Sequence, residues 1–325
     1  MKSVAYPLTV GVLLIAVIAN AQMVKIDGSS TVYPITEAVA EEFQKANPHI
    51  RVTVGISGTG GGFKKFCRGD TDISDASRPI KKVEMAVCKK AGIQYIELPI
   101  AFDALTVVVH PTNSWAGTIT VKQLKRIWEP RAQQKINRWN QVVPSWPSRP
   151  LNLYGPGVDS GTFDYFTEAV VGKAQASRGD YTASADPNVL VQGVANDPNA
   201  LGFFGFAYYI ENRKKLKAVA IHNGKKGIKP SRRTVENGSY QPFSRPIFIY
   251  VKNSALKKPA VKRFIEFYLD QGGSLASEVG YVKFTPKTYH QDLKRLREEK
   301  TGTVFGGKPA VGLSIEQLMK RELIP

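Results

Sequence analysis

Met23-Val24-Lys25-Ile26-Asp27-Gly28-Ser29-Ser30-Thr31 carries a short apolar strand into a small, hydroxyl-rich turn, and Ile35, Ala38, Val39 and Phe43 follow at helical spacing. The succession reads strand, loop, helix, and it repeats. Asn47-Pro48 closes the helix, Val52, Val54 and Ile56 alternate with polar residues as a second strand, and Ser57-Gly58-Thr59-Gly60-Gly61-Gly62 reads as a second loop before a helix around 63–67. A third loop, Asp72-Ile73-Ser74-Asp75-Ala76-Ser77-Arg78-Pro79, leads into a helix near 83–90. Strands alternating with helices in this way predict an α/β fold.

Working outward, the stretches 100–109 and 246–251 have the β-branched richness of buried central strands. Between them lie helical patterns at 121–128 and 161–171, a strand at 151–154 and the aromatic-rich run 201–209, which together look like a domain of their own. Helices are expected again at 260–269 and 314–323. Pro144, Pro147 and Pro150, with Trp139 and Trp146 among them, mark a long surface loop.

The chain has 325 residues, which suits about two domains with a real core. Lys and Arg number 45 against 27 Asp and Glu, a formal charge of +18 that favours anionic partners or surfaces without naming one. Lys2, the apolar stretch 8–19 and Ala19-Asn20-Ala21 form a secretory leader with cleavage expected after Ala21, so residues 1–21 are excluded from the fold. No cysteine follows the cleavage point to carry a lipid, and a soluble periplasmic or extracellular protein is expected. In that oxidising setting Cys67 and Cys88 are read as one disulfide. His49, His110, His222 and His290 are scattered without metal-ligand spacing, so neither a metal nor a cofactor is expected. The basic runs Arg213-Lys214-Lys215-Leu216-Lys217, Lys225-Lys226 and Arg232-Arg233 lack interleaved aromatic residues and read as solvated faces rather than a nucleic-acid platform.

Chemistry gathers in three Ser, Thr and Gly loops that open helices: Ser29-Ser30-Thr31, Thr59-Gly60-Gly61-Gly62 and Asp159-Ser160-Gly161-Thr162. A helix start carries unpaired N–H groups and partial positive charge, hydroxyls add donors, and glycine lets the backbone approach closely, so the set suits an anion. Any one of these loops, taken alone, is equally a self-satisfied helix cap. The glycine-rich loop lacks the spacing and lysine of a nucleotide cradle, and Val158 rules out a G-x-S-x-G elbow around Ser160. Asp75 stands out among anion-friendly loops. A buried carboxylate accepts a hydrogen bond from a protonated oxyanion and repels one without a proton, which separates phosphate from sulfate. Arg78 would then supply the forked cationic donor.

These residues carry a resemblance. Asp27-Gly28-Ser29-Ser30-Thr31-Val32-Tyr33-Pro34, Ser57-Gly58-Thr59-Gly60-Gly61-Gly62-Phe63, Asp72 through Pro79 and Gly157-Val158-Asp159-Ser160-Gly161-Thr162-Phe163, in that order, resemble the periplasmic phosphate-binding proteins of the PstS family. Ala200-Leu201-Gly202-Phe203-Phe204-Gly205 and Ser244-Arg245-Pro246-Ile247-Phe248 look like that family too. The resemblance implies a two-lobed, Venus-flytrap (type II) α/β protein with the ligand in the cleft and two crossing strands as the hinge. Lobe 1 would comprise 22–105 plus 246–325, and lobe 2 would comprise 106–245. By position, Ser30, Thr31 and Val32 would donate to phosphate from the first helix start, and Ser57 and Thr59 from the second. Asp75 would accept the phosphate proton, and Ser160, Gly161 and Thr162 would close from the other lobe. Many family members carry an arginine where this chain has Pro156, and Arg78 is expected to take its role. The implied function is non-catalytic: a monomer that binds inorganic phosphate and delivers it to the membrane permease of an ABC-type importer. The competing readings are another oxyanion or a phosphonate as ligand, and a secreted phosphatase.

Overall fold

All 15 residues of the strand Tyr95–Val109 are buried, and both halves of the molecule are built onto it. The computed structural model describes residues 22–222, 224–313, 317–318 and 320–321. The expected leader, 1–21, and most of the expected helix at 314–323 lie outside the described residues. In chain order the elements are β1 (Gln22–Gly28), α1 (Tyr33–Ala46), β2 (Ile50–Ile56), α2 (Gly58–Arg68), β3 (Ile73–Ala76), α3 (Lys82–Lys90), β4 (Tyr95–Val109), β5 (Thr118–Thr120), α4 (Val121–Trp128), β6 (Asn152–Pro156) and α5 (Gly161–Val171). They continue with β7 (Thr182–Ser184), α6 (Pro187–Ala195), β8 (Ala200–Gly205), α7 (Phe206–Glu211), β9 (Lys217–Ala218), β10 (Ala220–His222), β11 (Gly227–Ile228), α8 (Arg232–Glu236), β12 (Ser244–Lys252), α9 (Pro259–Glu278) and α10 (Pro286–Arg297).

Strand β1 runs parallel to β2 and to β3, with α1 and α2 as the crossovers. Strand β12 lies antiparallel between β3 and β4. From Tyr95 to Ala104, β4 pairs with β12; from Leu105 to Val109 it pairs with β8, beyond which β6 and β7 follow in parallel. The order β2-β1-β3-β12-β4-β8-β6-β7 thus holds two half-sheets that share β4. The chain leaves the first half at Ala104–Leu105 and re-enters it at Ser244, opposite Ala104. One buried cluster runs through both halves, from Phe63, Phe66 and Tyr250 to Trp128, Phe166 and Phe203. Phe43 of α1 meets Phe264 of α9 edge-on at 5.2 Å, whereas in the other half Trp128 meets Phe166 at 5.5 Å and Phe203 at 5.0 Å. Burying one such phenylalanine contributes roughly 1.5–3 kcal/mol.

Several elements depart from the sequence expectation for identifiable reasons. Strand β4 begins five residues before position 100 despite Pro99, which has no N–H for the ladder. The pairing shifts from Ile247–Ala101 to Phe248–Pro99, and this bulge absorbs the proline. Residues Gly58 to Gly62 are the first turns of α2, not a loop. Glycine disfavours a helix by about 1 kcal/mol each relative to alanine, but here there is no room for a side chain: a Cβ on Gly62 would sit 2.6 Å from Gly28 Cα. Four residues of the third expected loop, Ile73–Ala76, are strand β3 and fully buried. The proline-rich segment is anchored as well, because Trp139 is fully buried, donates to the Asn199 carbonyl at 3.2 Å and meets Trp115 and Trp146 edge-on. The expected Cys67–Cys88 disulfide is formed and ties α2 to α3. Among the described residues no helix is long and apolar enough to cross a membrane.

Candidate functional site

Three helix starts converge where the two half-sheets meet. The first depends on Gly28, whose φ of 150° suits glycine; a Cβ there would lie 2.2 Å from the Asp75 carbonyl oxygen. With no side chain in the way, the end of β1 presses on β3 and Ser29 N–H donates to Asp75 O at 3.0 Å. Ser29 O then accepts from Val32 and Tyr33 N–H, its Oγ accepts from Thr31 N–H at 3.2 Å, and Pro34 sits in the first turn of α1, where its missing N–H costs nothing. Ser29, Ser30, Thr31 and Val32 are all buried.

At the second start, the Ser57 hydroxyl donates to the Asp27 carboxylate, whose other oxygen takes Lys65 Nζ at 2.6 Å. Thr59 is fully buried, and its Oγ1 accepts from Ser77 N–H at 3.1 Å and lies 3.2 Å from Ser77 Oγ. At the third, Ser160 caps α5 by accepting from Thr162 N–H at 3.1 Å. Gly161 is required here by close approach, since a Cβ would stand 2.3 Å from Thr59 Oγ1 and 2.6 Å from Ser77 Oγ. The halves touch directly: Thr31 Oγ1 and Thr162 Oγ1 are 2.8 Å apart, and Gly60 N–H donates to the Asp159 carbonyl at 3.0 Å.

The cation at this meeting point is Arg245 of β12. Its side chain is fully buried and donates to Thr162 Oγ1 at 2.7 Å, to Thr31 Oγ1 at 3.4 Å and to the Gly161 carbonyl at 3.3 Å. Asp103, its register partner on β4, accepts from Nη2 at 2.9 Å and Nε at 3.2 Å. Burial pushes the Asp103 carboxyl above its ordinary range, and the Arg245 charge opposes that rise. Arg245 was missed by sequence reasoning, although a signal existed: Arg245 and Asp103 are opposite charges flanked by apolar residues in two largely apolar strands.

Arg78, expected to face the anion, is committed elsewhere. It donates through Nε to Asp164 at 2.6 Å, through both Nη atoms to Glu84 at 2.7 and 2.8 Å, and to the Pro79 carbonyl at 3.0 Å, with its guanidinium over Phe63. Two carboxylates already neutralise it, and since Asp164 belongs to α5 it fastens one half to the other. The arginine set among the converging hydroxyls is Arg245. Ser57 likewise spends its hydroxyl on Asp27, at the edge of the cluster.

Asp75 is different from every other carboxylate near the cluster. It is 1% exposed, and neither carboxylate oxygen has a hydrogen-bond partner among the described residues. The nearby Thr36 hydroxyl lies 3.0 Å from the Tyr268 hydroxyl, and either of the two can be the donor. Burial pushes the Asp75 carboxyl up to about 8; the Thr36 hydroxyl pulls against this shift and the Asp27 charge adds to it. A buried acceptor left without a donor costs on the order of 1–3 kcal/mol.

Comparison with known proteins agrees with this architecture. The PBP superfamily domain matches residues 16–271. The chain is 55% identical over 305 residues to Protein SphX of Synechococcus elongatus, covering 94% of this chain and 90% of that one. It is 40% identical over 277 residues to the phosphate-binding protein PstS of Staphylococcus saprophyticus, covering 84% of each. A solved structure from Clostridium perfringens, described as a putative phosphate ABC transporter substrate-binding protein with bound phosphate, is 28% identical with a TM-score of 0.69, over 81% of this chain and all of that one. The chain belongs to the PBP superfamily and, within it, to the PstS family.

Proposed function

We propose that this PstS-family chain binds inorganic phosphate between its two half-sheets and hands it to an ABC-type phosphate importer. The lobes are 22–105 plus 246–325 and 106–245, with β4 and β12 as the hinge strands, and the chain acts without catalysis, as a soluble exported monomer freed of residues 1–21. Thr31, Thr59, Ser160 and Thr162 offer hydroxyls, and the starts of α1, α2 and α5, including Ser30, Val32 and Gly161, offer backbone N–H groups and partial positive charge. Arg245 supplies the positive charge that Arg78 cannot.

The observation that carries the reading is the unpartnered, buried carboxylate of Asp75. Monohydrogen phosphate brings one proton, which completes a hydrogen bond to Asp75; sulfate brings none, and two bare anions would face each other in a dry site. With burial pushing the Asp75 carboxyl up to about 8, discrimination sharpens above that pH. Below it a protonated Asp75 can itself donate to sulfate. Calorimetric titration of phosphate-stripped protein with phosphate and then sulfate at pH 8.5 and physiological salt checks this. One-to-one phosphate binding without sulfate heat is expected, and equal binding of both anions would refute the reading.

A further inference from the structure

A cavity of about 240 Å³ lies beside the first residues of β4, and none of its walls belongs to the converging helix starts. The walls include Pro99 of β4, Asp292 and Arg295 of α10, and Val304, Leu318 and Arg321 of the C-terminal segment. Asp292 is 4% exposed, and its Oδ2 has no hydrogen-bond partner among the described residues. The groups around it are already occupied. Glu97 of β4, whose charge acts on Asp292, accepts from the Tyr250 and Thr303 hydroxyls at 2.6 Å each and from Val304 N–H at 2.9 Å. The Tyr289 hydroxyl, within electrostatic reach of Asp292, donates to the Ile100 carbonyl at 2.9 Å. Two cations complete the surroundings: Arg295 donates from Nη1 to the Glu97 carbonyl at 2.9 Å, and the exposed Arg321 holds its guanidinium 4.8 Å from the centre of the Phe305 ring. Neither arginine forms an ion pair among the described residues.

We propose that this cavity is a second anion site, which takes a small, doubly charged oxyanion that still carries a proton, as monohydrogen phosphate does. It uses no residue of the cleft between the half-sheets and stands whatever that cleft binds. Two guanidinium forks balance two negative charges, and the acceptor that lacks a donor, Asp292 Oδ2, takes the proton. Water alone satisfies Oδ2 but leaves both cations without a counter-charge, and the cavity is several times the roughly 30 Å³ that one water occupies. Burial pushes the Asp292 carboxyl up to about 8, with Arg295 opposing the rise and Glu97 adding to it. Above that pH the carboxylate only accepts, so sulfate is refused, and so is a phosphate monoester, whose last proton leaves near pH 6. Below it Asp292 carries a proton of its own and admits bare dianions too. Since Arg321, Leu318 and Val304 belong to the C-terminal segment and Asp292 and Arg295 to α10, an anion held here ties that segment to the helix.

The test is calorimetric titration of the full mature protein at pH 8.5 and constant ionic strength, with inorganic phosphate, sulfate and glycerol 3-phosphate as probes. Phosphate should give a second, weaker event beyond the one-to-one event of the cleft, and the other two anions none. D292L, which replaces an unpartnered carboxyl by an apolar side chain of similar size, should abolish the second event and leave the first within about threefold. R321Q, at an exposed position on which the fold does not depend, should weaken the second event about tenfold and leave the first unchanged. At pH 6.5 sulfate should bind the parent at this site and fail to bind D292L there. A parent that shows no event sensitive to either substitution, or a second event that survives both, overturns the inference and assigns any residual binding to the basic surface at large. Sulfate or glycerol 3-phosphate bound as tightly as phosphate at pH 8.5 overturns it equally, because no proton is then being read. Absence of the first event alone strikes the functional reading of the cleft, and the event lost in D292L still decides this one.

Discussion

Two buried arginines bridge the halves of this molecule, and they do so with opposite partner sets. Arg78 is held by Glu84, Asp164 and a carbonyl, so two full negative charges answer one positive charge, with Lys81 joining Asp164 at 2.9 Å. Arg245 faces a single carboxylate, Asp103, and otherwise two threonine hydroxyls and a carbonyl. Hydroxyls can turn to donate to a ligand, while carboxylates only accept. The first arginine is therefore a fastening, and the second stands where the proposed function needs a binding group.

That contrast is most severely tested by conservative replacement. Arg245→Lys removes the fork that reaches Asp103, Thr162 and Gly161 together and should weaken phosphate binding at least a hundredfold, about 3 kcal/mol; Arg245→Met should also destabilise the fold by about 3–5 kcal/mol because Asp103 is left buried and unpaired. Arg78→Lys should weaken phosphate about tenfold by loosening the closed form, with the preference for phosphate over sulfate unchanged. Calorimetry on both variants separates the roles, and equal losses would erase the distinction.

Next in size is the cost of Asp75. Its folded-state pKa of about 8 lies above the ordinary carboxyl value, so the stability it contributes is fully present at low pH and is lost as pH rises from about 4 to about 8. At most this amounts to about 1.4 kcal/mol per pH unit. Asp75→Asn removes that slope and should raise the Tm of ligand-free protein at pH 8.5, leaving the similar slope from Asp292, which burial also pushes up to about 8. A Tm that falls on this substitution would mean Asp75 has a structural partner. The smallest effect on binding belongs to the disulfide: the Cys67→Ser/Cys88→Ser variant should lose about 2–4 kcal/mol in denaturant unfolding while binding phosphate within threefold of the parent.

What was legible in the sequence is what local chemistry dictates. Helices α4 and α5 are readable to the residue because their signals are adjacent in the chain: Thr120 and Gln123 cap α4 reciprocally, Ser160 caps α5, and Gly172 ends it in a left-handed conformation. The hydroxyl-bearing helix starts are likewise local. The features that escaped are set by distant contacts. Gly58 to Gly62 look like a loop until Gly28 and Asp159 are seen packed against them, and Pro99 hides the start of β4 until β12 supplies the bulge. Arg245 and Asp103 are 142 positions apart and become a pair only through strand register.

The most direct measurement is the ratio of phosphate to sulfate affinity, by calorimetry at constant ionic strength from pH 6.5 to 9, in the parent protein and in Asp75→Asn. The account predicts a ratio that climbs through pH 8 in the parent and is lower and flat in the variant, whose amide can donate to either anion. A parent ratio independent of pH and unaltered by Asp75→Asn would contradict it.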